Sequence, residues 1–115
     1  MKADVKAVIR DYGIGSWTVV VSVIDAADGT PLTNLTDKNF SVVAVQSPSG
    51  WATNDVLKIK SGLHTPVDGI YVFAAGNTGN KKLASGPYTL AITLTGSKER
   101  GVPLNGQTVV DGRIA

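Results

Sequence analysis

The sequence predicts an all-β protein, a single antiparallel β-sandwich of about seven strands. Three observations carry that prediction. In GPYTLAITLTG, Gly86 to Gly96, the side chains of Tyr88, Leu90, Ile92 and Leu94 fall on one side of an extended chain, and those of Thr89, Ala91, Thr93 and Thr95 on the other. Turn signals recur about every eight to twelve residues, the spacing of antiparallel sandwiches and barrels. No helical stretch of about ten residues separates the strands, which argues against a parallel α/β sheet. The composition agrees. A chain that is 43% hydrophobic and only 17% charged, rich in Thr, Ser, Asn and Gly, suits half-buried strands and tight turns rather than long surface helices.

Each element follows in order. Residues 1–15 form an N-terminal arm with two readings. Val5, Val8, Ile9 and Tyr12 have helical spacing, with Asp4 as a cap and Gly13 as a stop, while Ala3, Val5, Ala7 and Ile9 alternate as a strand would. The β character of everything downstream tips the expectation toward a strand or irregular arm, with a short amphipathic helix as the alternative. WTVVVSVID is a strand with Trp17, Val19, Val21 and Val23 on its core face. Val20 and Ile24 on the other face suit a central strand whose second face is partly covered. AADGTP is turn chemistry: Asp28-Gly29 takes positive φ and Pro31 ends the ladder. NFSVVAVQ (Asn39 to Gln46) is the next strand, broken by SPSG. DVLKIK turns Leu57 and Ile59 inward and Lys58 and Lys60 outward. GIYVFAA follows the Asp68-Gly69 turn signal, GNTGNKK is a loop, and PYTLAITLT is the most regular strand. Asn105-Gly106 suits a tight hairpin turn before QTVVDG, the last strand. With 115 residues, positions 1–115 are expected to fold as one domain with a core that needs no staples.

Two strands open on the same phrase, a glycine followed two residues later by a tyrosine: DGIY (Asp68 to Tyr71) and SGPY (Ser85 to Tyr88). Similar turn geometry selects similar residues without any duplication. In this setting the ring packs inward and the hydroxyl reaches a backbone group of the corner. Tyr71 and Phe73 are then core residues, with Ile70 and Val72 on the opposite face.

The stretch VSVIDAADGTPLTNLTDKNFSV, with Asp25, Gly29, Pro31, Leu35, Thr36, Phe40 and Val42, resembles the opening of bacterial immunoglobulin-like and transthyretin-like domains. DGIYVF and GPYTLAITL are similar to later paired strands of the same modules. The resemblance spans Trp17 to Thr95 and implies an immunoglobulin-like β-sandwich. It also implies an extracytoplasmic or virion-associated setting. It implies no single function, because such sandwiches host many roles. The Cys-Trp-Cys core of antibody domains is missing.

The chemistry-bearing residues are few. The net charge of +2 is small and the basic residues are scattered, without the stripe that nucleic-acid binding needs. With no cysteine, disulfides, thiolate metal sites and cysteine nucleophiles are excluded. The start MKADVKAVIRDYG lacks an apolar core, so no signal peptide is expected in it, and VVVSVI is too short to span a bilayer. His64, the single histidine, sits in SGLHTPVDG, which reads as a surface loop, and no serine occupies a strained elbow. Asp25, Asp28, Asp37 and Asp55 lack the spacing of a calcium loop and read as turn residues. Asn34 and Asn39 head formal glycosylation sequons in which modification is not expected.

No catalytic residue, metal ligand or cofactor is therefore assigned, and the chain is not expected to be an enzyme. The expected function is a structural or protein-binding module of a bacterial surface, secreted or phage-like protein. It acts through a sheet edge or end loops, where backbone pairing and recognition concentrate. The candidate binding residues are Trp51 and Asn54 in one loop and Asn77, Asn80 and Lys81 in another. Trp51 either covers one end of the core or stands exposed as a stacking platform. The second option makes the alternative function a carbohydrate-binding module. The transthyretin-like resemblance implies, as a third option, a small-molecule or hormone-type binder at an oligomer interface, and a homodimer through the sheet edges is compatible with each.

Overall fold

The protein is all-β, and two nine-residue ladders organise it. In the computed structural model, which describes residues 2–11, 17–33, 35–46, 55–59, 64–76, 86–95, 98–99, 102–103 and 105–114, the strands are β1 (Ala3–Asp11), β2 (Trp17–Asp25), β3 (Phe40–Gln46), β4 (Asp55–Ile59), β5 (His64–Val67), β6 (Ile70–Gly76), β7 (Gly86–Leu94), β8 (Lys98–Glu99), β9 (Val102–Pro103) and β10 (Gly106–Ile114). One turn of 3-10 helix, Asp37–Asn39, precedes β3. Seven strands form an open sandwich, with β1-β2-β6 facing the four strands β10-β7-β3-β4. Short β5 lies beside β6, and β8 and β9 form a small hairpin of their own.

The N-terminal segment is a strand. Ala3 to Asp11 pairs antiparallel with Asp25 to Trp17 without a break in register. β7 and β10 match it on the other sheet, from Leu94↔Gly106 to Gly86↔Ile114. On the far side β4 stitches the sheets together. Asp55, Val56 and Leu57 pair with β3, and Lys58 and Ile59 pair with β6.

The inner rows are those the period-2 pattern marks. Trp17, Val19, Val21 and Val23 are fully buried, as are Leu90, Ile92 and Leu94. Burying such an aliphatic side chain stabilises the fold by about 1.5–3 kcal/mol. Aromatic rings join the two sheets at two levels. Phe40 of β3 lies 5.5 Å from both Tyr71 and Phe73 of β6, and Trp17 of β2 meets Tyr88 of β7 edge-on at 5.6 Å. The Trp17 indole Nε1–H finds no acceptor among the described residues.

Four expectations need correction. The turn after β2 does hold Gly29 at φ +75°, but Pro31 does not end the pairing. It bridges back to Ile24, because the bonds flanking it, Asp25 N–H to Thr30 C=O and Leu32 N–H to Val23 C=O, need no proline donor. His64 opens a strand, β5, instead of lying in a loop. Pro66 hides that strand in the sequence; a register shift between His64 and Val67 accommodates it at the sheet margin. Asn105-Gly106 is not the hairpin turn. Asn105 bridges to Lys2, Gly106 begins β10, and the connection from β7 carries the β8–β9 hairpin. Gly106 serves close approach, since a Cβ there would stand 2.7 Å from Val5 Cγ2 and 2.9 Å from the Ala3 carbonyl. Finally, the Tyr71 hydroxyl gives its proton to the β2–β3 connection rather than to its own corner. It donates to the Leu32 C=O at 2.6 Å and accepts from the Leu35 N–H at 3.4 Å, pinning the β2–β3 connection under the core. At its own corner, Gly69 takes φ +80° with Pro31 Cβ only 2.8 Å from where a Cβ would be.

Candidate functional site

Trp51, Asn54, Asn77, Asn80 and Lys81 lie outside the described residues. The strand ends that flank their two segments share one end of the sandwich. Asp55 pairs with Ala44 near the end of β3, Gly86 pairs with Ile114, and Ala75 pairs with Trp17. Leu57 and Ile59, expected to face inward, belong to a strand of which the structure describes the backbone alone.

The polar side chains that are described serve turns and ladders. Asp25 is buried, and its Oδ1 accepts from the Ala27 N–H at 2.9 Å; Asp28 Oδ1 accepts from the Thr30 N–H at 2.9 Å. Asn39 ties the start of β3 to the end of β7. Its Oδ1 accepts from the Thr36 N–H at 2.8 Å and its Nδ2 donates to the Thr95 C=O at 3.2 Å, so the sequon nitrogen is engaged. Among the described residues no three His, Cys, Asp or Glu side chains gather where they could hold a metal ion. No helix among them is long and apolar enough to cross a membrane.

The feature that the topology does build is an open edge on β10. The strand ends its sheet, and one face of it is packed. Gly106, Thr108, Val110 and Gly112 stand opposite the core residues Leu94, Ile92, Leu90 and Tyr88. Gln107, Val109, Asp111 and Arg113 are exposed, Val109 to 60%. A short polar ladder crosses this outer face. The Thr89 hydroxyl donates to Asp111 Oδ1 at 2.6 Å, with the Gln46 side-chain amide 3.3 Å away, and Gln107 Nε2 donates to Thr93 Oγ1 at 3.2 Å.

The direction of the backbone groups follows from one bond. The Asn105 C=O accepts from the Ala3 N–H at 2.7 Å, so Asn105 points away from β7. Backbone groups alternate along a strand, so those of Gln107, Val109, Asp111 and Arg113 also point away from β7. Past Ala3 none of them bonds a described backbone group. β1 runs parallel to β10 on the side of its inner face. Cβ atoms built at Gly106 and Gly112 point to that face, and they would meet Val5 Cγ2 at 2.7 Å and Ile9 Cδ1 at 2.4 Å. The sequence shows the alternation of GQTVVDGRI, but not that this strand lies at an edge, since strand order is set by partners far away in the chain.

Fold and surface together define an all-β antiparallel sandwich whose β10 strand, past Asn105, bonds no described backbone group on its outer edge. Comparisons of the chain with protein families, with curated proteins and with solved structures return no match.

Proposed function

We propose that this chain is a non-enzymatic structural or protein-binding module with an immunoglobulin-like sandwich, and that it acts by strand pairing at its sheet edge, assisted by its end loops. The observation that carries this reading is the open β10 edge, with outward backbone groups at Gln107, Val109, Asp111 and Arg113 and an exposed valine among them. Edges of this kind add a partner's strand through main-chain bonds, while alternate side chains supply specificity. The immunoglobulin-like assignment is supported by strand order. β1-β2-β6 with β5 beside β6, against β10-β7-β3, reproduces the Greek-key order of such domains. The non-enzymatic reading is supported by the duties of the described polar side chains, which satisfy turns and sheet ladders.

Site-specific photo-crosslinking of the whole chain, in the cells that make it, tests the reading. A benzophenone side chain is placed at Val109, at Trp51, or at exposed Lys38 at the opposite end. Protein adducts from Val109 or Trp51 and none from Lys38 are expected. Absence of adducts at all three, with Trp51 emission that shifts on adding a soluble glycan, overturns it in favour of carbohydrate binding.

A further inference from the structure

We infer that the partner of the β10 edge is a second copy of this chain, docked antiparallel about a two-fold axis through Val109. The inference rests on the reading of β10 as a pairing edge and names its occupant.

The two edge strands differ in how they are guarded. Natural edges are blunted by charge, especially lysine, and by proline. On the exposed side of β1, Asp4, Lys6 and Arg10 surround Val8. β10 carries neither lysine nor proline in GQTVVDGRI; Asp111 and Arg113 are exposed on one side of Val109 alone, and Val109 itself is 60% exposed. An edge without lysine or proline that is also regular in register over nine residues is a template for another strand.

Self-pairing is constrained by parity. Only odd-numbered residues of β10 turn their backbone groups outward, so an antiparallel copy must match odd with odd. Three two-fold registers near the centre satisfy this. A two-fold at Asp111 sets like carboxylates opposite each other, which is destabilising. A two-fold at Val110 places Val109 opposite an aspartate. A two-fold at Val109 sets the valine against its own copy and Gln107 against Asp111 of the second copy, while Asn105, whose outward carbonyl is bonded by the Ala3 N–H, stays with β1. Every outer pair is then apolar with apolar, or a donor with an acceptor. On the inner face the same register sets Gly106 opposite Gly112 of the second copy. No added side chain then strikes Val5 or Ile9 of β1, which already fill the space beneath those glycines.

The test uses the whole chain, which has no cysteine of its own. Light scattering coupled to size exclusion is expected to report twice the chain mass. Val109→Lys brings two ammonium groups face to face and is expected to weaken dimerisation about tenfold or more. Val8→Lys, on the other edge strand, leaves it unchanged. Register is read by oxidation. A residue on the two-fold meets its copy at a Cα separation of about 5.5 Å, inside the range of about 4.4–6.8 Å that a disulfide spans. Val109→Cys is therefore expected to oxidise to a covalent dimer and Asp111→Cys alone is not. A mixture of Gln107→Cys and Asp111→Cys chains should cross-link to each other. A wild-type chain that stays monomeric at hundreds of micromolar overturns the inference. So does a dimer indifferent to Val109→Lys, or a thiol at 111 that links as readily as one at 109. Should Val109→Lys fail to fold by circular dichroism, the cysteine series decides. A monomer whose Val109 crosslinker captures a different protein overturns the second copy and leaves the binding-module reading standing. No adduct of any kind removes both.

Discussion

Tyr71 shows how one side chain sets the path of a distant segment. Its ring is fully buried between the sheets, and its hydroxyl bonds two backbone groups in the β2–β3 connection. Without the hydroxyl, the Leu32 carbonyl and the Leu35 amide lose their partner in a place that excludes water. Tyr71→Phe keeps the ring and is expected to cost about 1–3 kcal/mol, the usual penalty for stranding a buried polar group. The measurement is the urea midpoint, with the slope of the transition unchanged. The sequence pointed to the inward ring through the Gly-x-Tyr opening. The recipient of the hydroxyl was not legible, because it lies 39 residues upstream and is fixed by packing alone.

At the scale of elements, two glycines of β10 govern how closely β1 approaches it. A Cβ at Gly112 would stand 2.4 Å from Ile9 Cδ1 and 2.9 Å from Trp17 Cζ3. Gly112→Ala is expected to destabilise by about 1–3 kcal/mol, as overpacking does. Ile9→Val removes the nearest atom and should recover part of that loss, giving a measurable coupling in a double-mutant cycle. The inner rows of β2, β6 and β7 were legible because alternation is a local property, visible in Trp17 to Val23 and Tyr88 to Leu94. β5 was not, since Pro66 breaks the strand signal, and the reach of β10 was not, since Gly106 and Gly112 look like turn glycines until β1 is seen under them. The open edge was legible only as alternation. That the strand is terminal in its sheet follows from the β7 pairing on one side alone.

For the whole molecule, the pairings join segments far apart in sequence: β2 with β6, β3 with β7, and β1 beside β10. Closing such loops before any contact rewards them slows folding to about milliseconds to seconds. Trp17 supplies the probe, being fully buried against Tyr88. In a Trp51→Phe background, native emission is expected to be blue-shifted and shielded from iodide. Stopped-flow refolding should recover it on that slow timescale; recovery within microseconds would contradict the topology.

The sandwich is closed on its two sides in different ways. β4 passes from one sheet to the other on one side, while on the other the described residues show a single backbone bond, Ala3 to Asn105, joining β1 to β10. β1 and β10 run parallel, so Ala3, beside Gly106, and Ile114 stand at opposite ends, about 26 Å apart for eight residues at ~3.3 Å each. Tension applied between those two points would run along the strands. The β1–β2 and β7–β10 ladders would bear it in shear, each with nine registered pairs loaded together. Pulled instead across the seam, the same molecule would part at one hydrogen bond and then peel. Its resistance to force is a matter of direction, decided by which way the first and last strands point.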